Sequence, residues 1–137
     1  MNRELINPMN KRSFTLVEVM IVVMVISIMA AIAIPNALRA RLSANDATAQ
    51  ATLKSLSTAM ESYYAHNAVY PSLTGDLINT TPPYMSRDYF TGTYSGFTYS
   101  AVLNSVNGYT ITATPVGVGQ TGTTSFAITT GGVFQNN

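Results

Sequence analysis

Cysteine is absent from this 137-residue chain. Its absence excludes a disulfide framework, a thiolate metal site and a cysteine nucleophile. Histidine occurs once, as His66, so a catalytic triad or a multi-histidine metal site has little to draw on. Charge is scarce: seven Lys and Arg against six Asp and Glu give a formal net charge of +1. The chain as a whole is therefore not a nucleic-acid-coating protein. Past His66 the sole cation is Arg87, and the only acids are Asp76 and Asp88. Phosphate-driven binding to nucleic acid is disfavoured on that ground. No cofactor is called for, and the length suits one modest domain.

What the chain does have is a long apolar run. Phe14 to Ile34 reads FTLVEVMIVVMVISIMAAIAI, in which only Thr15, Glu18 and Ser27 are polar. That is about the length a helix needs to cross a hydrocarbon core of ~30 Å. Arg3, Lys11 and Arg12 precede the run against one acid, Glu4. Basic flanks stay on the cytoplasmic side, so the N-terminus is expected inside and the C-terminus outside. Arg39 and Arg41 follow the run and weaken that contrast. A cleaved secretory signal is the competing reading, with Ala30 to Ala33 imitating a small-residue cleavage site. Against it, the apolar stretch is too long and the helical pattern continues past Ile34.

Lys11-Arg12-Ser13 followed by Phe14-Thr15-Leu16-Val17-Glu18 resembles the class III signal of type IV pilin-like precursors. The continuation Ala31-Ile32-Ala33-Ile34-Pro35 is similar to the pilin N-terminal helix. The resemblance is specific from Lys11 to about Arg41, weaker to about His66 and only architectural beyond. It implies a leader over residues 1–13, removed between Ser13 and Phe14 by a membrane aspartyl peptidase that then methylates the Phe14 amine. The family usually carries glycine before the cut, where this chain has Ser13. Met9 offers a second possible start, with the short basic leader MNKRS; the sequence does not choose between Met1 and Met9.

Glu18 is the anomaly of the run. A charge at a bilayer centre costs roughly 2.5–3.5 kcal/mol on insertion scales, and less near an interface. In a dry filament core an unpaired carboxylate would be strongly disfavoured. The compensating cation nearest in sequence is the new amine of Phe14, four residues or about 6 Å away along a helix. Within one helix the two groups do not meet easily, whereas a staggered neighbour presents its amine more favourably. The expected assembly residues are therefore Phe14 and Glu18, a pairing that the resemblance also implies; Pro35 joins them as what the resemblance implies, since the region around the matching proline loosens in pilin filaments.

Past Pro35, which should bend or loosen the helix rather than end it, the helical pattern resumes. Leu42, Ala49, Leu53, Leu56, Met60 and Tyr63 form one face. Asp46, Gln50, Lys54, Ser57 and Glu61 lie largely off it. Residues 67–94 read as a loop-rich connection, with a short helical turn near Asp76 to Ile78. From residue 95 the periodicity is two, as in Phe97, Tyr99, Ala101 and Leu103 and in Tyr109, Ile111 and Ala113. Three or four antiparallel strands are expected, with one face on the helix and a threonine-rich face in water. Gly117 to Gly122 matches G-x-G-x-x-G, but a strand rather than a helix follows it, so it reads as a flexible hairpin loop.

The fold class expected is α+β and pilin-like, a long N-terminal helix packed against a small antiparallel sheet. Residues 14–35 form its transmembrane and polymerisation half, and residues 36–137 form the head. Asp76 and Asp88 give thin support for a calcium site and read as solvated loop charges. The tyrosines read as core and rim packing. The expected function is structural, not enzymatic: a filament subunit in the inner membrane whose partners are its own copies, the prepilin peptidase and an assembly platform. A type II secretion pseudopilin and a minor tip pilin binding DNA or surfaces are the alternatives.

Overall fold

The computed structural model describes residues 14–136. The leader expected over residues 1–13, with Met9 and Ser13, lies outside them. Helix α1 spans Leu16–Asn67 and the strands are β1 (Thr93–Tyr94), β2 (Phe97–Asn104), β3 (Gly108–Pro115), β4 (Phe126–Thr129) and β5 (Val133–Asn136). Single 3-10 turns occupy Thr74–Leu77 and Thr130–Gly132. The chain divides into two compact units, with the boundary between Ala37 and Leu38.

The first unit is helical through Pro35 without a break. Pro35 removes one backbone donor, yet the local loosening expected there is not seen.

In the second unit the sheet is antiparallel in the order β1-β2-β3-β4-β5, a simple meander. It has five strands rather than three or four, and β1 falls inside the stretch read as loop. Two residues are too few to show a period of two, so Thr93 and Tyr94 carried no strand signal. They pair with Thr98 and Phe97.

Register follows the alternation. Phe97, Tyr99, Tyr109, Ile111, Ala113, Phe126 and Ile128 are buried, while Thr98, Ser100 and Thr114 face water. Thr98 stands opposite Thr114, and Ser100 opposite Thr112, on the outward face. Against the inner face the helix sets Ala49, Leu53, Leu56 and Met60, all buried. Full burial of each large aliphatic side chain contributes about 1.5–3 kcal/mol. Leu42 and Tyr63 are half-buried, at the rim of this stripe. The connection adds Tyr70, Leu77 and Met85 to the same core. Its 3-10 turn begins two residues before the expected place.

Two turns show how local chemistry fixes the sheet. Between β2 and β3, Asn104 Oδ1 accepts from the N–H groups of Val106 and Asn107, both at 3.0 Å. Gly108 follows with φ of +107°, and a Cβ there would overlap the Thr130 side chain. Between β3 and β4, the Gly117 to Gly122 loop is held rather than free. Gln120 and Thr121 donate backbone N–H groups to the Gly117 carbonyl at 3.0 and 2.8 Å. Asn45 Nδ2 on the helix donates to the Thr121 carbonyl at 2.8 Å. Gly122 is buried, and a Cβ on it would strike the Phe97 ring.

Leu53→Ala should lower unfolding stability by about 2–5 kcal/mol. Val102→Ala, at a side chain 73% exposed, should stay within about 0.5 kcal/mol. Urea titration of the full chain in detergent, followed by tyrosine circular dichroism, measures both.

Candidate functional site

Helix α1 starts with a complete N-cap. The Thr15 carbonyl accepts from the Val19 N–H at 3.3 Å. Thr15 Oγ1 accepts from the Glu18 N–H at 3.2 Å. An N-cap residue is defined by these two bonds, and threonine is among the residue types that make them. Phe14 precedes the cap, outside the helix and 79% exposed. Glu18 sits in the first turn with its side chain exposed, where the helix dipole favours an acid. The sequence signal for this start, threonine with glutamate three residues on, is the capping-box pattern.

From Leu16 to Ile34 the large apolar side chains are exposed on all sides. By length and composition α1 can cross a membrane. Its backbone groups are bonded within the helix, and Ser27 Oγ donates to the Val23 carbonyl at 2.7 Å. Glu18 is the one charged side chain of the run, and at the helix start its backbone N–H, not its carboxylate, is what the cap binds. Of the site residues expected from sequence, Phe14 and Glu18 lie within one turn of the helix start and Pro35 lies inside the helix. Ser13 lies outside the described residues.

The head holds a polar cluster that the sequence did not reveal. Tyr109 donates to Glu61 Oε1 at 2.9 Å, and Tyr70 donates to Glu61 Oε2 at 3.1 Å. The Gly131 N–H donates to Oε1 at 2.9 Å. Ser57 Oγ lies 2.7 Å from the Tyr109 hydroxyl. Since Tyr109 gives its single proton to Glu61, Ser57 is the donor in that pair. A second clasp joins Asp46 to Thr123, whose N–H and hydroxyl donate at 3.0 and 2.6 Å. Asp46 therefore anchors the helix to the loop between β3 and β4, and Ser57 and Glu61 anchor it to β3 through Tyr109. Hydropathy periodicity counts them as polar and cannot see partners from 48 to 77 positions away.

The remaining candidates are local. Asp76 Oδ2 accepts from the Leu73 N–H at 3.1 Å, and Asp88 Oδ1 from the Phe90 N–H at 2.8 Å. Both are loop charges that keep contact with water while each binds a backbone N–H of its own turn. His66 is exposed in the last turn of α1. The Arg87 guanidinium lies 5.3 Å from the centre of the Tyr94 ring. Tyr63 meets Tyr84 and Tyr64 meets Tyr70 at ring-centre distances of 5.4 and 4.5 Å, as rim packing.

Comparison with known proteins matches both parts of the chain. Residues 8–34 match the family described as "Prokaryotic N-terminal methylation motif". Residues 39–125 match the family described as "Type IV minor pilin ComP, DNA uptake sequence receptor". The chain is 36% identical over 129 residues to the type IV wide pilus major component PilA4 of Thermus thermophilus, covering 93% of this chain and 89% of that one. It is 41% identical over 71 residues to the type IV major pilin protein PilA of Myxococcus xanthus, covering 52% of this chain and 32% of that one.

Burial, reinforced by Glu61, pushes the Tyr109 hydroxyl up from 10.0 to about 12, with the Ser57 bond opposing in part. A raised folded pKa means that the fold favours the neutral phenol. Its contribution is complete below pH 10 and is lost as pH rises through about 12. The head should therefore lose stability over that window, and Tyr109→Phe should flatten the loss. Urea midpoints taken across alkaline pH, beside a tyrosinate absorbance titration, measure it.

Proposed function

The chain belongs to the type IV pilin family, and from that premise we propose that it is a structural subunit of a type IV pilus. The observation that carries the reading is the likeness to a wide-pilus major component along 93% of the chain. That likeness spans the head as well as the signal-bearing helix. A subunit that differed from pilus components in use would be expected to share the helix and diverge in the head.

The proposed course begins with insertion in the inner membrane, N-terminus inside and head outside. A prepilin peptidase removes residues 1–13 by cutting between Ser13 and Phe14, and N-methylates Phe14. An inner-membrane assembly platform then moves the subunit into a growing filament. Chemically this needs no active site in the chain itself: it is a substrate and a building block. The apolar side chains that face lipid in the monomer face neighbouring helices in the polymer. Glu18 meets the Phe14 ammonium of the next copy. Apolar contact is non-directional, so this one pair fixes register, the best-attested use of a buried polar contact.

The match to a DNA-receptor pilin family over residues 39–125 favours a second reading, a minor subunit that binds DNA. The charge of this head speaks against it. Its one cation beyond the helix, Arg87, is stacked on Tyr94, which leaves little to neutralise phosphates. Retention of DNA on purified filaments, compared with filaments lacking this subunit, separates the readings. A type II secretion pseudopilin stays the weaker alternative, since both relatives are named as pilus proteins.

Mass spectrometry of sheared filaments should find this chain as the bulk component, beginning at N-methylated Phe14. A chain retaining residues 1–13 in those filaments would refute the processing. Glu18→Ala should insert and be cleaved normally, yet lower filament yield by more than ~100-fold. That is the scale of leaving one charge of a buried pair alone, about 3–5 kcal/mol. Filaments in normal amount from this variant would overturn the pairing.

A further inference from the structure

We propose that the side of the head where α1 enters it is a membrane-docking surface: Val116 and Val118 of the loop between β3 and β4, with Leu38, Arg39 and Arg41 of the helix, fit the headgroup layer of an anionic bilayer. The inference rests on the membrane-insertion reading above.

Chain connectivity brings this surface to lipid. The second unit begins at Leu38, four residues after the apolar run ends at Ile34. Arg39 and Arg41 follow Ile34 by five and seven positions, roughly 7.5 and 10.5 Å along a helix. A headgroup layer is roughly 5–7 Å deep on each side of the hydrocarbon, and long cationic side chains reach back toward it. Both arginines are exposed. Two positions apart, they leave the helix on nearly opposite sides, which suits a layer that surrounds the helix. The next acid along α1, Asp46, is bound to Thr123 rather than to either of them.

The loop supplies the apolar part. Asn45 and Asp46 hold it at the entry end of the helix, through Thr121 and Thr123. Its backbone is fastened, yet Val116 and Val118 point outward, Val118 being 73% exposed. Leu38 is exposed as well. Apolar side chains beside arginines are the make-up of a surface that lies at the boundary of headgroups and acyl chains. Spanning helices ordinarily lean, and a lean toward the loop lowers its valines onto the lipid. Val106 offers a contrast: it is 85% exposed, but sits on the turn between β2 and β3, whose neighbour Tyr109 binds Glu61 near the far end of α1.

The chain has no cysteine, so a single introduced one can carry a label. The full chain with Gln120→Cys or Val106→Cys, each bearing a fluorophore, is reconstituted in vesicles of phosphatidylethanolamine and phosphatidylglycerol that contain nitroxide-labelled lipid. Quenching at position 120, on the tip of the docking loop, should exceed that at position 106 severalfold. Arg39→Gln and Arg41→Gln should each shift the docked-to-free ratio at position 120 about fivefold toward free, the scale of one cation at an anionic surface. Val116→Asp combined with Val118→Asp should abolish the excess quenching. Equal quenching at the two positions would overturn the proposal, as would excess quenching that survives the arginine and valine changes. So would a signal at position 120 that grows only with the protein-to-lipid ratio, since the loop would then be meeting a second copy. A chain that a carbonate wash strips from the vesicles sinks the insertion reading instead, and is told apart by that control.

Discussion

A helix that shows apolar side chains on every face cannot remain in water, and the stretch before Pro35 is organised under that constraint. The backbone meets it by bonding within the helix, the one arrangement that lets a single segment cross lipid. Ser27 meets it by bonding back to Val23. Thr15 meets it by closing the first turn. Glu18 alone in the run carries a charge, and the cap binds its backbone N–H, not its carboxylate. An apolar surface can be covered by lipid or by other helices at nearly equal advantage, because both are hydrocarbon. On the proposed pairing the acid breaks that equivalence, making one neighbour, at one stagger, better than the rest.

The head solves a different problem with the same few charges. Its acids are spent on neutral donors rather than on cations: Glu61 takes two phenols and an amide, and Asp46 takes the N–H and hydroxyl of Thr123. Charged acceptors make stronger hydrogen bonds than neutral ones, and both acids bridge elements distant in sequence. One clasp, at residue 46 of the helix, holds the loop between β3 and β4, and the other, at residue 61, holds β3, so the helical stripe between them is fastened at both ends. Ala49, Leu53, Leu56 and Met60 fill that interval. Two polar fasteners around a continuous apolar strip give the sheet one register against the helix, which hydrophobic packing alone specifies poorly.

Much of this was legible in the sequence, where a period or a motif extends over enough residues to be read. The alternation in Phe97 to Leu103 and Tyr109 to Ala113 marks β2 and β3 with the correct inward faces. The stripe from Ala49 to Met60 marks the buried side of α1. What escaped has short range or long reach. Strand β1 is two residues long, below the length at which alternation exists. The Gly117 to Gly122 loop looks free in sequence because its fasteners, Asn45 and Asp46, lie on a helix about seventy-five positions earlier. Ser57 and Glu61 look like solvent-facing residues for the same reason. Of the site, the run and its acid are legible, whereas the cap at Thr15 shows in the sequence only as a threonine with a glutamate three residues on.

The five residues from Phe14 to Glu18 reconcile demands that would otherwise conflict. A membrane helix needs its first turn closed, and the proposed filament pairing needs a cation and an anion that do not neutralise each other within one chain. Placing the cap at Thr15 satisfies the first, as Glu18 gives its N–H to the cap. It also bears on the second. On the proposed cut, the Phe14 ammonium would stand one residue ahead of a helix N-terminus, where the dipole disfavours a cation. The Glu18 N–H is committed to Thr15, with its side chain one turn along the helix. The ammonium is thus in an unfavourable field with no easy partner on its own chain. On the proposed pairing a carboxylate from the next copy would relieve both charges together, so the feature that makes the isolated subunit awkward would be the one that drives it to join a filament.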